Sequence, residues 1–257
     1  MFHDLSLATG IFLLAASFFA GFVDSIAGGG GLIQLPALLI GLPQSDTAEV
    51  LGTNKLSAVF GTSTAAALYR KQIKPDPKLL IAMGLPAFVG SAGGALLASK
   101  IPTSNMRPMV LILLIIVAIY TWFKPDLGKY ENLRHHSQRR IQIAGLAGAV
   151  IGFYDGIFGP GTGSFLMLIL VASLGYAFIT ASAIAKVVNV ATNVGAIMIF
   201  GIQGAVIWQV GILLGLSNIT GAVIGSRLAI RGGSTLVRKV FLIVTVALII
   251  KVGIATF

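Results

Sequence analysis

Apolar residues run in long unbroken blocks along this chain, and polar residues collect in short gaps between them. Blocks of about 20 residues match the hydrocarbon thickness of a bilayer when helical. They fall at residues 5–26, 50–69, 79–99, 106–123, 141–158, 181–200, 205–226 and 236–256. Two shorter apolar runs, 32–42 and 163–175, each follow a glycine-rich break. They are too short to cross as straight helices. Lipid offers the backbone no partners, and the runs do not alternate as barrel strands do, so the spans are predicted to be helices. The expected fold is an all-α integral membrane protein with about 8–10 membrane helices, two of them short or broken.

The pattern occurs twice. The interval from Asp24 to Asp155 equals the interval from Lys55 to Lys186. The same offset relates Leu35 to Leu166, Gln72 to Gln203, Gly90 to Gly221 and Gly94 to Gly225. The predicted organisation is a first transmembrane repeat at 1–123, a polar cytoplasmic linker at 124–140 and a second repeat at 141–257. Lys and Arg crowd the connection at 70–78 and the central linker, while the stretch 201–205, the counterpart of the first, has no charge. Cytoplasmic loops are the basic ones, so the two repeats are predicted to insert upside down relative to each other. Gly90-xxx-Gly94, Gly221-xxx-Gly225, Gly148-xxx-Gly152 and Gly211-xxx-Gly215 predict close helix packing within the chain in preference to a dimer motif.

Composition then narrows the class. Hydrophobic residues make up 56% of the chain and charged residues 10%, which a soluble domain of 257 residues does not need. The formal charge of +10 sits largely in connections, where it serves topology and lipid headgroups, so nucleic acid is not an expected partner. No Cys is present, which removes disulfides and thiol chemistry. The N-terminal run lacks a basic start and reads as a retained helix. There is no phosphate-binding loop, no helical metal spacing among His3, His135 and His136, and no nucleophile set. No enzyme activity, cofactor or metal is expected.

Four constellations carry candidate chemistry. The breaks at Gly28, Gly29, Gly30 and Gly31, and at Gly159, Pro160, Gly161, Thr162, Gly163 and Ser164, cannot continue a helix cheaply. Each would aim the N-terminus of a short helix, with its free N–H groups, at an anion; the plain alternative is a tight turn. Lys55 would sit roughly 13 Å into a helix capped by Ser45 or Asp46, with Glu49 completing a capping box. Lysine at that depth faces water or an anion, snorkels to a headgroup, or pairs with Asp24 or Asp155; Lys186 has the same choice. Asp24 and Asp155 would cap the breaks, pair with a lysine or take up protons. Asn54, Asn189, Asn193 and Asn218 lie in apolar runs and either line a polar path or bond between helices.

These residues resemble the sulfite exporter TauE/SafE family of membrane transporters. The likeness rests on Gly21-Phe22-Val23-Asp24-Ser25-Ile26-Ala27-Gly28-Gly29-Gly30-Gly31, on Gly52-Thr53-Asn54-Lys55, on Gly152 to Gly161, and on Ala185-Lys186-Val187-Val188-Asn189. It covers nearly the whole chain. It implies a secondary transporter, in export, of small sulfur-containing anions such as sulfite or sulfonates like sulfoacetate. It also implies a bacterial-type cytoplasmic (inner) membrane. The residues themselves point to a small anionic substrate held by Lys55, Lys186, the glycine breaks, Thr162, Ser164, Asn54 and Asn189. Protons are a candidate coupling ion, and the oligomeric state is left open. An anion channel and a non-transporting membrane scaffold are the other classes this pattern fits.

Overall fold

The computed structural model describes residues 6–98 and 128–256. The span expected at 106–123 lies outside them. All regular structure among the described residues is α-helical: α1 (Leu7–Ala27), α2 (Gly31–Gly41), α3 (Thr47–Gln72), α4 (Pro77–Ala98), α5 (Ser137–Ile157), α6 (Thr162–Ala172), α7 (Phe178–Ile202) and α8 (Trp208–Thr256). Four helical stretches are long and apolar enough to cross a membrane: Leu7–Ala27, Pro77–Ala98, Phe178–Ile202 and Trp208–Ala247. The helices α2 and α6 are the two short ones, 11 residues each.

Local chemistry sets the ends. Asp46 caps α3, and its backbone N–H donates to the Glu49 carboxylate at 3.1 Å, forming the capping box. Arg70 and Lys71 close the same helix, where its dipole favours cations. Gly28 ends α1 in the left-handed conformation (φ 81°), and Gly161 opens α6 in the same region (φ 84°). One boundary differs from expectation. The gap between the spans expected at 205–226 and 236–256 is helical, and the turn shrinks to a single break at Gly233 (φ 61°, ψ −163°), a conformation glycine adopts without a steric clash.

Long helices interlock across the two halves of the chain. Helix α4 packs along α5 and α7, and α8 packs along α1 and α3. Glycines make this possible. A Cβ on Gly90 or Gly94 would stand 2.4 Å and 2.2 Å from the carbonyl oxygens of Ala149 and Phe153 on α5. A Cβ on Gly221 or Gly225 would stand 2.0 Å and 2.4 Å from those of Phe18 and Phe22 on α1. The second set is the repeat equivalent of the first, with the halves exchanged. These glycines therefore serve contacts within the chain.

Polarity runs inside out. Leu85, Val89, Leu146, Val150, Leu216 and Ile224 are exposed, whereas Asn54, Lys55, Asp155, Lys186, Asn189, Asn193 and Asn218 are buried. Water would reverse that arrangement, and lipid favours it.

Candidate functional site: a cavity where the two glycine breaks cross

The segments between α1 and α2 and between α5 and α6 meet in the interior. A Cβ on Gly28 would lie 2.3 Å from the Gly163 carbonyl carbon, and one on Gly163 would lie 2.6 Å from the Gly28 Cα. Only hydrogen fits at either position. The Ser164 N–H donates to the Gly28 carbonyl at 3.2 Å, and its hydroxyl donates to the Ala27 carbonyl at 2.8 Å. The Tyr69 hydroxyl donates to the Ser25 carbonyl at 2.9 Å. Carbonyls at the end of α1, left over by the helix itself, are thus satisfied from other helices.

Two ion pairs flank the crossing, each joining one half to the other. Lys55 Nζ lies 2.7 Å from Asp155 Oδ2, and Lys186 Nζ lies 2.9 Å from Asp24 Oδ2. The pairs share chemistry and differ in setting. Lys186 is sealed (0% exposed) and also donates to the Asp24 backbone carbonyl, so it acts as a cationic cap on α1. Its partner Asp24 keeps 18% exposure, and its other oxygen accepts from the Gly30 N–H at 3.4 Å. Among the described residues, Lys55 bonds Asp155 through its ammonium group alone, and both residues border the central cavity.

That cavity offers about 30 Å³ to the centres of water-sized molecules. One water needs roughly 10–15 Å³ on this measure, so the space matches a few waters or one small polyatomic ion. Charge comes from Lys55, Asp155 and Asp24. Backbone comes from Gly28, Gly30 and Gly31 on one side and Gly159, Gly161, Thr162 and Gly163 on the other. The N-termini of α2 and α6 therefore both open onto it, presenting their positive dipole ends. Within these first turns, the Thr162 N–H returns to the Gly159 carbonyl at 3.2 Å. The N–H groups of Gly31 and Gly163 find no acceptor among the described residues.

Amides complete the wall: Asn54, Asn189, Asn193, Asn218 and Gln34, with Thr62 beside them. Among the described residues, Gln34 Nε2, Asn193 Nδ2 and Asn54 Oδ1 are buried without a hydrogen-bond partner. Such groups are uncommon in a settled core, because each forfeits its hydration. Around them, Thr53 accepts from the Ile207 N–H at 3.0 Å at the start of α8. A Cβ on Gly52 would strike the Ala205 carbonyl at 2.1 Å. In the Gly52-Thr53-Asn54-Lys55 run, then, two residues seat α8 and two face the cavity.

Of the residues the sequence singled out, Lys186, Gly29 and Ser164 are not on the cavity wall. Lys186 and Ser164 are committed to α1 carbonyls, and the Gly29 carbonyl accepts from the Leu32 N–H at 3.1 Å. Sequence reasoning missed Gln34 and Thr62. Gln34 carried a signal, as the one polar side chain inside the apolar run 32–42. Thr62 carried none, since Ser and Thr are common throughout α3.

Buried charge at a broken-helix crossing, wrapped in outward-facing apolar helices, is the architecture of a membrane transporter. Residues 13–252 match the family model described as "Sulfite exporter TauE/SafE", and the chain belongs to that family. A Sinorhizobium protein called "Probable membrane transporter protein ORF9" is 41% identical over 97% of this chain and 94% of its own length. "Probable membrane transporter protein YfcA" of Escherichia coli K12 is 39% identical, covering 93% of this chain and 89% of its own. A Haemophilus influenzae "Probable membrane transporter protein" is 35% identical, with 94% and 93% covered. No solved structure matches the chain. The protein is an integral membrane transporter of the bacterial inner-membrane type.

Proposed function

We propose that this protein is a secondary transporter that exports small sulfur-containing anions, such as sulfite or an organosulfonate like sulfoacetate, by alternating access. The observation that carries the reading is the cavity itself. One ammonium group, two helix N-termini and unpaired amide donors converge on a space sized for a small ion. The unpaired donors Gln34 Nε2 and Asn193 Nδ2 suit a substrate made of acceptor oxygens, and Asp155 Oδ2 and Asn54 Oδ1 stand beside them as acceptors. The family's name supports sulfite as the first substrate to test.

The two repeats are inserted upside down in this reading, and one bundle rocks against the other around the crossed breaks. Lys55 is the charge the substrate meets. An arriving anion competes with Asp155 for that ammonium, and the released carboxylate is the natural acceptor for a coupled proton. Asp24 and Lys186 hold the end of α1. The chain performs no covalent chemistry and uses no cofactor in this scheme.

Flux of labelled sulfite and sulfoacetate into proteoliposomes, with and without an imposed proton gradient, tests the proposal. Saturable flux that responds to the gradient is expected. Flux that rises linearly with concentration and ignores the gradient would instead identify a channel.

A further inference from the structure

We infer that Gln34 is a substrate-contacting residue, a neutral donor to an oxyanion oxygen, and that Asn218 is the residue that positions it. The inference rests on the transport reading above and assigns it a second ligand beside Lys55.

Gln34 lies on α2 just past the glycine break, 2% exposed, and is one of the residues lining the cavity. Its Oε1 accepts from Asn218 Nδ2 at 3.1 Å. The same Asn218 nitrogen donates to the Ser17 carbonyl at 3.1 Å. These two bonds fix both amides. Turning Asn218 over would set its oxygen against the Ser17 carbonyl, and turning Gln34 over would set two NH₂ groups against each other. Gln34 Nε2 is therefore held away from Asn218, and it has no partner among the described residues. Asn218 is in turn closely housed. A Cβ on Gly61 would lie 1.8 Å from its Oδ1, and one on Gly21 would lie 2.2 Å from its backbone oxygen.

Folding alone does not require this arrangement. At the repeat-equivalent positions, Phe165 stands for Gln34 and Ala87 for Asn218, both apolar and buried. Apolar residues stand at both equivalent positions in the other half, so an amide relay ending in an unsatisfied donor has a different purpose. A buried N–H without an acceptor destabilises the empty protein and is relieved when a ligand supplies one. Lys55 reaches the cavity from α3 and Gln34 from α2. An ion with several acceptor oxygens can bond both at once, and a spherical halide cannot do so with separate atoms. The chemical class selected is thus a small oxyanion.

The test is sulfite and sulfoacetate uptake by purified variants in proteoliposomes, read as KM and maximal rate separately. Losing one hydrogen bond to a charged ligand is worth about ten- to hundredfold in affinity. Gln34→Met, similar in size but without a donor, should raise KM by about that factor and largely keep the maximal rate. Gln34→Glu keeps the acceptor for Asn218 and places a carboxylate where the donor was, and should bind more weakly still. Asn218→Ala should raise KM less. The double variant Gln34→Met/Asn218→Ala should be no worse than Gln34→Met alone, because Asn218 acts only through Gln34. A merely structural pair would show no such pattern and would lower the amount of folded protein instead.

Unchanged KM in monodisperse Gln34→Met, or in Gln34→Glu should the first variant fail to fold, overturns the inference and leaves the transport reading standing. Additive losses in the double variant overturn the positioning role of Asn218. Wild-type protein that moves neither anion brings down the transport reading and this inference with it.

Discussion

Lys55–Asp155 and Lys186–Asp24 are built from the same residue types at equivalent places in the repeat, and each bridges the two halves. One pair turns its ammonium toward the cavity. The other seals its ammonium behind the end of α1 and turns part of its carboxylate toward the same cavity. The difference shows that a duplicated charge need not have a duplicated role in one conformation. In the scheme proposed above, the pair that caps α1 is the fastener, and its counterpart at the cavity edge exchanges partners. In the alternating-access cycle proposed above the two settings would swap, and the fastener of one state would become the ligand of the next.

The largest expected effect on stability lies at Lys186, whose ammonium is sealed and also caps α1. Lys186→Ala leaves the Asp24 carboxylate and an α1 carbonyl without their cation, a change worth about 3–5 kcal/mol when a buried pair loses one member. Thermal unfolding in detergent should show the loss, and Lys186→Met combined with Asp24→Asn should recover much of it. Equal stability of Lys186→Ala and wild type would erase the distinction between the pairs.

Next come the equivalent glycines Gly28 and Gly159, both with positive φ. A non-glycine residue in that region costs about 1–2 kcal/mol in either place. At Gly28 the added Cβ also meets the Gly163 backbone, whereas at Gly159 its nearest neighbour, at 2.5 Å, is the flexible end of Lys55. Gly28→Ala should therefore lower the melting temperature more, and Gly159→Ala should cost more uptake for each degree lost. The reverse ranking would mean that the two breaks do not divide the work as described.

The smallest effect is a change in labelling. The chain has no Cys, so single cysteines report cleanly. Asn54 lines the cavity, while its equivalent Ala185 is fully buried. Substrate gradients of opposite direction should change the maleimide reactivity of Asn54→Cys and Ala185→Cys in opposite senses. Parallel changes would argue against exchange of the two settings.

Much of the frame was legible because it follows from lengths and breakers. The short runs after the glycines became α2 and α6, and Asp46 with Glu49 marked the start of α3. Gly233 was less legible, since a glycine pair in a basic stretch does not announce that the helix continues on both sides. The pairing of each lysine with the aspartate of the other half was also out of reach. Either aspartate satisfies the same spacing, and only the crossing of the breaks decides which is near. Gln34 and Asn218 are far apart in the chain, and their bond depends on how α2 and α8 meet. The sealing of Lys186 likewise depends on which residues α1 presents to it, which no periodicity in its own helix encodes.

The claim that Lys55 meets the transported anion can be tested by counterflow: proteoliposomes loaded with unlabelled sulfite take up labelled sulfite from outside. The account predicts transient accumulation by wild-type protein and at least about a tenfold reduction in Lys55→Gln, the loss of one charged ligand, with that variant still monodisperse and folded. Wild-type counterflow in folded Lys55→Gln would contradict it.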